Sequence, residues 1–240
     1  MENLRLLENV AEGANFSVEG PLLSAEFELF GTTIQLSESV VVEWVVVVIL
    51  GVLFFVLGRN LKVKPTSKRQ VIAEMLVGMF DGMVMTSMGP KYRRYMPYIG
   101  ALFMFSITSS LMGLIGLRAP TADISVVGTW GMLTFLLVTF NRFKTGGVKG
   151  YLTAYVSPIP FMLPFNIIGE VMNPVSQSLR HFANIVSGMV ISGLVYYAMG
   201  HFAVGLPAVL SLYTDLFSSA VQAYIFTTLT MSYISMAECE

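Results

Sequence analysis

Long uncharged apolar runs alternate along the chain with short polar connections, and this alternation predicts membrane-crossing helices. Val40 to Gly58 is almost entirely Val, Leu, Ile and Phe, with Glu43 as its one charge. At 1.5 Å per residue it reaches roughly 28 Å, close to a hydrocarbon core of about 30 Å. Tyr95 to Leu117 carries no charge. Arg118 and Pro120 mark a tight turn, and Ile124 to Phe140 crosses back, so residues 95–140 read as a transmembrane hairpin. Pro158, Pro160 and Pro164 prevent a straight helix through 150–165. Two long stretches follow, 166–203 and 207–237, divided near Gly205 and Pro207. The predicted passes are 40–58, 95–117, 121–140, 166–203 and 207–237. Within 59–94, Gln70 to Gly89 sets Ile72, Met75, Leu76, Met79, Phe80 and Met83 at helical spacing, with Glu74 and Asp81 turned another way. That pattern predicts an interfacial amphipathic helix. The expected fold is an all-α integral membrane protein forming a single domain over 1–240. It has about five crossings plus one interfacial helix, and the last two helices, spanning 166–237, are long and tilted.

Composition strengthens the membrane reading. Charged residues make up 12% of the chain, hydrophobic residues 55%, and the mean hydropathy is +0.70. A soluble domain carries about 25% charged residues, so this chain lacks the charge to coat a water-facing surface. The charges are also unevenly placed. Eight of the 14 Lys and Arg fall between residues 59 and 94, which puts that loop in the cytoplasm. Residues 1–38 hold seven Glu and one Arg. They are expected outside as a retained segment, because they lack the order of a secretory signal. Five crossings then leave the C-terminus cytoplasmic. One Cys, Cys239, and two His, His181 and His201, argue against a disulfide framework or a metal centre. No cofactor, metal or nucleic-acid partner is expected; lipid is.

The unusual residues lie in the last two stretches. Arg180 sits in PVSQSLRHFANIVSGMVI, a mostly apolar helix, where a charge costs about 2.5–3.5 kcal/mol on insertion scales. Asn173, Gln177, Arg180, Asn184 and Gly188 recur at steps of three and four, forming one face. Glu170 lies ten residues before Arg180, roughly 15 Å along a helix. A direct ion pair between them is excluded, and Glu170 is expected to be neutralised by protonation, water or another chain. Asp215 and Gln222 share a face of the final helix, with Ser218 and Ser219 nearby.

SLRHFANIVSG resembles the signature of the a subunit of F-type ATP synthases, commonly leucine-arginine-leucine-phenylalanine-glycine-asparagine followed by a small residue and glycine. The matches are Ser176, Leu179, Arg180, Phe182, Asn184, Ser187 and Gly188. QAYIFTTLTMSYIS, from Gln222, resembles that family's last-helix motif. PTADISV, from Pro120, resembles its hairpin segment, and NIIGEVMNP the approach to its arginine helix. All four occur in the family's order and cover nearly the whole chain. His181, Ala183 and Gln177 depart from the commoner leucine, glycine and leucine. Met189 stands where some members carry an ionisable residue, and Asp215 is the acidic candidate on the last helix.

The resemblance implies a non-catalytic stator subunit against a ring of c subunits, each with a membrane carboxylate. Peripheral-stalk b subunits and the remaining ATP synthase subunits are the other implied partners, in a bacterial plasma membrane. Ions, protons or sodium, would enter by one half-channel, ride the ring and leave by a second, with Arg180 between the two paths. Glu170 would serve the inner path and Asp215 the outer, with Asn184 and Gln222 lining the route. Each residue also has a plainer reading. Asn184 and Gln222 would join helices through their amides, Glu170 would be a solvated interfacial charge, and Asp215 would reach the outer surface. Packing is the default for His181. A self-contained ion-coupled secondary transporter is the competing function; it predicts internal repeats, and none is visible.

Overall fold

The computed structural model describes residues 24–29, 32–63, 67–115, 117, 119–156, 159–199 and 212–236. The turn at Arg118, the break at Pro158 and the division near Gly205 and Pro207 lie outside the described residues, as does the segment before Ser24. The chain forms two compact units, divided between Glu38 and Ser39. In the first, β1 (Ser24–Leu29) and β2 (Thr32–Ser37) form an antiparallel hairpin in which Ser24 faces Ser37 and Leu29 faces Thr32. The alternating run EFEL fits that period of two.

From Ser39 onward the architecture is helical, as the hydrophobic pattern predicts. The α-helices are α1 (Glu38–Gly58), α2 (Lys68–Ser87), α3 (Met96–Leu111), α4 (Ile124–Val156), α5 (Leu163–Met199) and α6 (Ser218–Met236). A π-helical turn, Leu212–Phe217, leads into α6. Among the described residues, α1 and Ile124–Val148 of α4 are each long and apolar enough to cross a membrane. In α1 only Val42, Val46 and Leu50 of the apolar residues are buried, while Trp44, Val48 and Phe55 stay exposed. Apolar surface left uncovered along a whole helix fits a lipid solvent.

Two elements extend the sequence reading. Ser67 caps α2, its hydroxyl accepting from the Gln70 N–H at 3.3 Å. Phe80 and Val84 face the protein core, while Ile72, Met75 and Met79 are exposed, so the expected apolar stripe is shared between the protein and its surroundings. Helix α4 runs past Phe140, through Arg142 and Lys144, and bends only at Gly147. There φ is 62°, a conformation open to glycine but costly for side chains with a Cβ.

Core packing joins the helices at two levels. Leu102, Val127, Trp130 and Phe226 form one cluster, while Val84, Ile99, Val138 and Met231 form another. Tyr92, within the basic 59–94 segment, donates to the Ser235 carbonyl at 3.3 Å. That contact puts the end of the basic segment beside the last turn of α6. Helices α4 and α5 approach closely at Gly131. A Cβ there would overlap Ser178 Oγ and lie 2.9 Å from the Pro174 carbonyl oxygen. Ser178 Oγ also donates to the Val127 carbonyl at 3.0 Å. Small residues permit such backbone approach in lipid.

Gly131→Ala should therefore destabilise the subunit by about 1–3 kcal/mol, because the added methyl meets backbone as well as a side chain. Gly128→Ala, where a Cβ meets nothing within 4 Å, should be close to neutral. Thermal unfolding of the purified protein in detergent measures both, and equal effects would remove Gly131 as the packing constraint.

Candidate functional site

Helix α5 carries Arg180 on its exposed side. Among the described residues it makes neither an ion pair nor a hydrogen bond. The next residue, His181, is fully buried. One residue turns a helix by about 100°, so a charge facing out and an imidazole facing in follow from adjacency. The polar stripe read from the sequence divides accordingly. Asn173 and Arg180 are exposed, while Gln177 turns inward.

Two members of the stripe, buried Gln177 and exposed Asn184, bind α6. Gln177 Nε2 donates to the Phe226 carbonyl at 2.8 Å and to Thr230 Oγ1 at 2.9 Å. Two turns further on, Asn184 Nδ2 donates to Gln222 Oε1 at 2.7 Å. Asn184 and Gln222, expected on one route, are thus in direct contact. His181 sits between these levels, with ring centroids 5.7 Å from Trp130 and 5.6 Å from Phe226.

Glu170 lies one helical stretch away, near the start of α5, and belongs to a different cluster. Arg142 of α4 donates to Glu170 Oε2 at 2.7 Å. The Tyr155 hydroxyl donates to the same oxygen and shares a 2.8 Å hydrogen bond with the Tyr151 hydroxyl. Burial, the bond to Glu170 and the bond to Tyr151 all push the Tyr155 hydroxyl well above the ordinary tyrosine range, so it stays protonated and able to donate. The neutralising group for Glu170 is therefore an arginine of the same chain, in place of the expected proton, water or second chain. Spacing along one helix could not reveal it, because the partner comes from the antiparallel neighbour 28 positions earlier in sequence.

A cavity of about 360 Å³ opens beside this cluster, with Arg142, Tyr155, Asn166, Glu170, Asn173 and Tyr233 in its wall. Sequence reasoning did not single out Arg142, Tyr151 or Tyr155, which no local spacing links to Glu170. Asp215 falls within the π-helical turn that leads into α6; its side chain lies outside the described residues. Glu170 and Arg180 are not brought together, as their spacing requires. Among the described residues no group of three His, Cys, Asp or Glu could hold a metal ion.

Comparison with known proteins places this geometry in a family. The family model for the ATP synthase A chain matches residues 40–235. The sodium-ion-specific ATP synthase subunit a of Propionigenium modestum is 34% identical over 212 residues, covering 82% of this chain and 72% of that protein. ATP synthase subunit a 1 of Crocosphaera subtropica is 31% identical, covering 84% of this chain and 87% of its own length. ATP synthase subunit a of Moorella thermoacetica is also 31% identical, with 84% and 91% covered. With the match running from α1 to the end of α6, the chain belongs to the ATP synthase A chain family, the membrane-sector a subunits of F-type ATP synthases.

Proposed function

We propose that this subunit is the stator of a plasma-membrane ATP synthase, carrying ions past a rotating ring of c subunits through two offset half-channels. The observation that carries the reading is Arg180, a guanidinium without a partner among the described residues and exposed on a mostly apolar helix. A charge so placed is costly in lipid unless another chain supplies its counter-ion. A membrane carboxylate on the ring meets that need. Its anion is attracted to Arg180, and that attraction favours release of the bound ion. Arginine suits the position because it keeps its charge when desolvated, whereas lysine loses it more readily. Each unit charge moving through 100 mV yields about 2.3 kcal/mol, which the ring delivers to the ATP-forming subunits. Family membership does not favour a self-contained secondary transporter.

The subunit crosses the membrane five times, with the acidic N-terminus outside and the basic 59–94 loop and C-terminus inside, and its last two helices lie long and tilted along the ring. The Tyr92–Ser235 hydrogen bond supports a shared end for the basic segment and α6. By that orientation the cavity around Glu170 belongs to the inner half-channel. The Asn184–Gln222 pair and Asp215 belong to the outer one. Peripheral-stalk b subunits hold the stator against the ring.

Sidedness is tested by cysteine labelling at Ser17 and Ser67 in a Cys239→Ser background. A membrane-impermeant reagent added to one face of sealed vesicles should modify one site only, and equal labelling of both would overturn the orientation. Glu170→Gln and Asp215→Asn should each slow ion-driven ATP synthesis without preventing assembly. Parental rates in both would remove the carboxylates from the ion path.

Arg180→Ala and Arg180→Lys should both reduce ion-driven ATP synthesis in inverted vesicles to background while the complex still assembles. Arg180→Ala should also raise the passive ion conductance of membranes stripped of the catalytic head. An assembled Arg180→Ala complex that makes ATP at the parental rate would return the residue to a structural role.

A further inference from the structure

A polar seam runs between α5 and α6, on the inward side of α5 from Arg180. At one end lies the cavity walled by Asn173 and Tyr233. Gln177 is one turn along α5 and binds Thr230. At the other end the Asn184–Gln222 pair closes the row, and Ser219 is one turn before Gln222 on α6. Buried polar atoms without a hydrogen-bond partner among the described residues occur along the seam: Gln177 Oε1, both ring nitrogens of His181, Gln222 Nε2 and Ser219 Oγ. The amide and hydroxyl atoms can each hold a water, whereas the imidazole is enclosed between the Trp130 and Phe226 rings. The seven-residue step from Gln177 to Asn184 rises only about 10 Å.

The seam therefore sets polar atoms inside the subunit between the two regions assigned to opposite half-channels. Arg180 points out from α5 and does not close that seam. What stands in it is His181, fully buried, with Trp130 and Phe226 edge-to-face against it and against each other, their ring centroids 5.9 Å apart. Phe105 packs on the far side of Trp130 at 5.3 Å. Three helices besides α5 thus contribute a ring to the constriction. Apolar constrictions stop ions by excluding water.

We propose that His181, clamped between Trp130 and Phe226, is an insulating stopper that seals the subunit's interior seam against ion leakage behind Arg180. The proposal rests on the half-channel reading given above. It gives the imidazole a volume-filling role, not a proton-carrying one. The subunit then needs two barriers: a fixed charge on the face toward the ring and a dry plug within.

The experiment uses assembled complexes in membrane vesicles stripped of the catalytic head, with the decay of an imposed proton gradient as the readout. His181→Gly should raise passive proton conductance severalfold. The leak should persist when the ring carboxylates are changed to amides, because an interior seam does not use the ring. Phe226→Ala opens the same constriction from α6 and should leak likewise. His181→Leu refills the volume with a side chain that cannot carry a proton. It should keep conductance at the parental level and retain ATP synthesis. Parental conductance in assembled His181→Gly and Phe226→Ala complexes would overturn the stopper. So would a leak that vanishes with the ring carboxylates, or loss of ATP synthesis in His181→Leu, which would make the imidazole a carrier. Failure of the half-channel reading shows separately, as parental ATP synthesis in Arg180→Ala.

Discussion

The antiparallel pairing of α5 and α6 through amide hydrogen bonds is the constraint on which the site depends. In lipid, apolar side chains gain little by leaving their solvent for another helix, so packing and polar contacts hold helices together. Gln177 reaches both the Phe226 carbonyl and Thr230, and Asn184 reaches Gln222. These contacts lie seven residues apart on α5, two turns of helix, and fix rotation as well as separation. With Gln177 turned inward, His181, one turn on, is buried as well, and Arg180 lies on the exposed flank about 60° round the helix from Gln177. The orientation of Arg180 is therefore a consequence of where the amides point. The close α4–α5 approach at Gly131 adds a second fix, through Ser178 and Pro174, on a neighbouring part of α5.

Two arginines in contact with or carried by α5 illustrate opposite uses of one side chain. Arg142 meets Glu170 and lies in a cluster completed by Tyr155 and Tyr151. Each charge there has its counter-charge within the chain, and desolvation of the pair is offset locally. Arg180 has no such partner among the described residues. The contrast separates a charge that organises the subunit from one available to another molecule. Glu170 is also constrained by its company. One oxygen, Oε2, serves both donors, while Oε1 is buried without a hydrogen-bond partner, which leaves the carboxylate a single free acceptor for whatever enters the cavity.

Periodicity made most of the helical unit legible. Apolar length marked α1, the prolines at 160 and 164 marked the entry to α5, and basic residues divided the loops. The crossing read from the sequence ends at Phe140, whereas helix α4 continues through Arg142 and Lys144, since a helix leaving an apolar region readily carries such residues. The hairpin at 24–37 was obscured by its acidic residues, which suggested a polar cap more strongly than EFEL suggested a strand. Arg180 stood out because a charge in an apolar helix is conspicuous in one dimension. The Arg142–Glu170 pair and the ring contacts of His181 did not. Both are made between helices far apart in sequence, and no local spacing encodes them.

Insulation follows from the same physics that makes conduction possible. A membrane subunit that offers ions polar paths from both faces must fit both within a hydrocarbon core only about 30 Å thick, so the two paths end close to each other. The amides that lock α5 to α6 also supply polar atoms between the two paths, and every such atom left unpaired invites water. Replacing them by apolar groups would remove the leak but would also remove the contacts that orient Arg180. Keeping the amides and interrupting them with a ring cluster preserves both functions. Trp130, His181 and Phe226 supply that interruption from three different helices, so the seal is tied to correct assembly of the helices themselves.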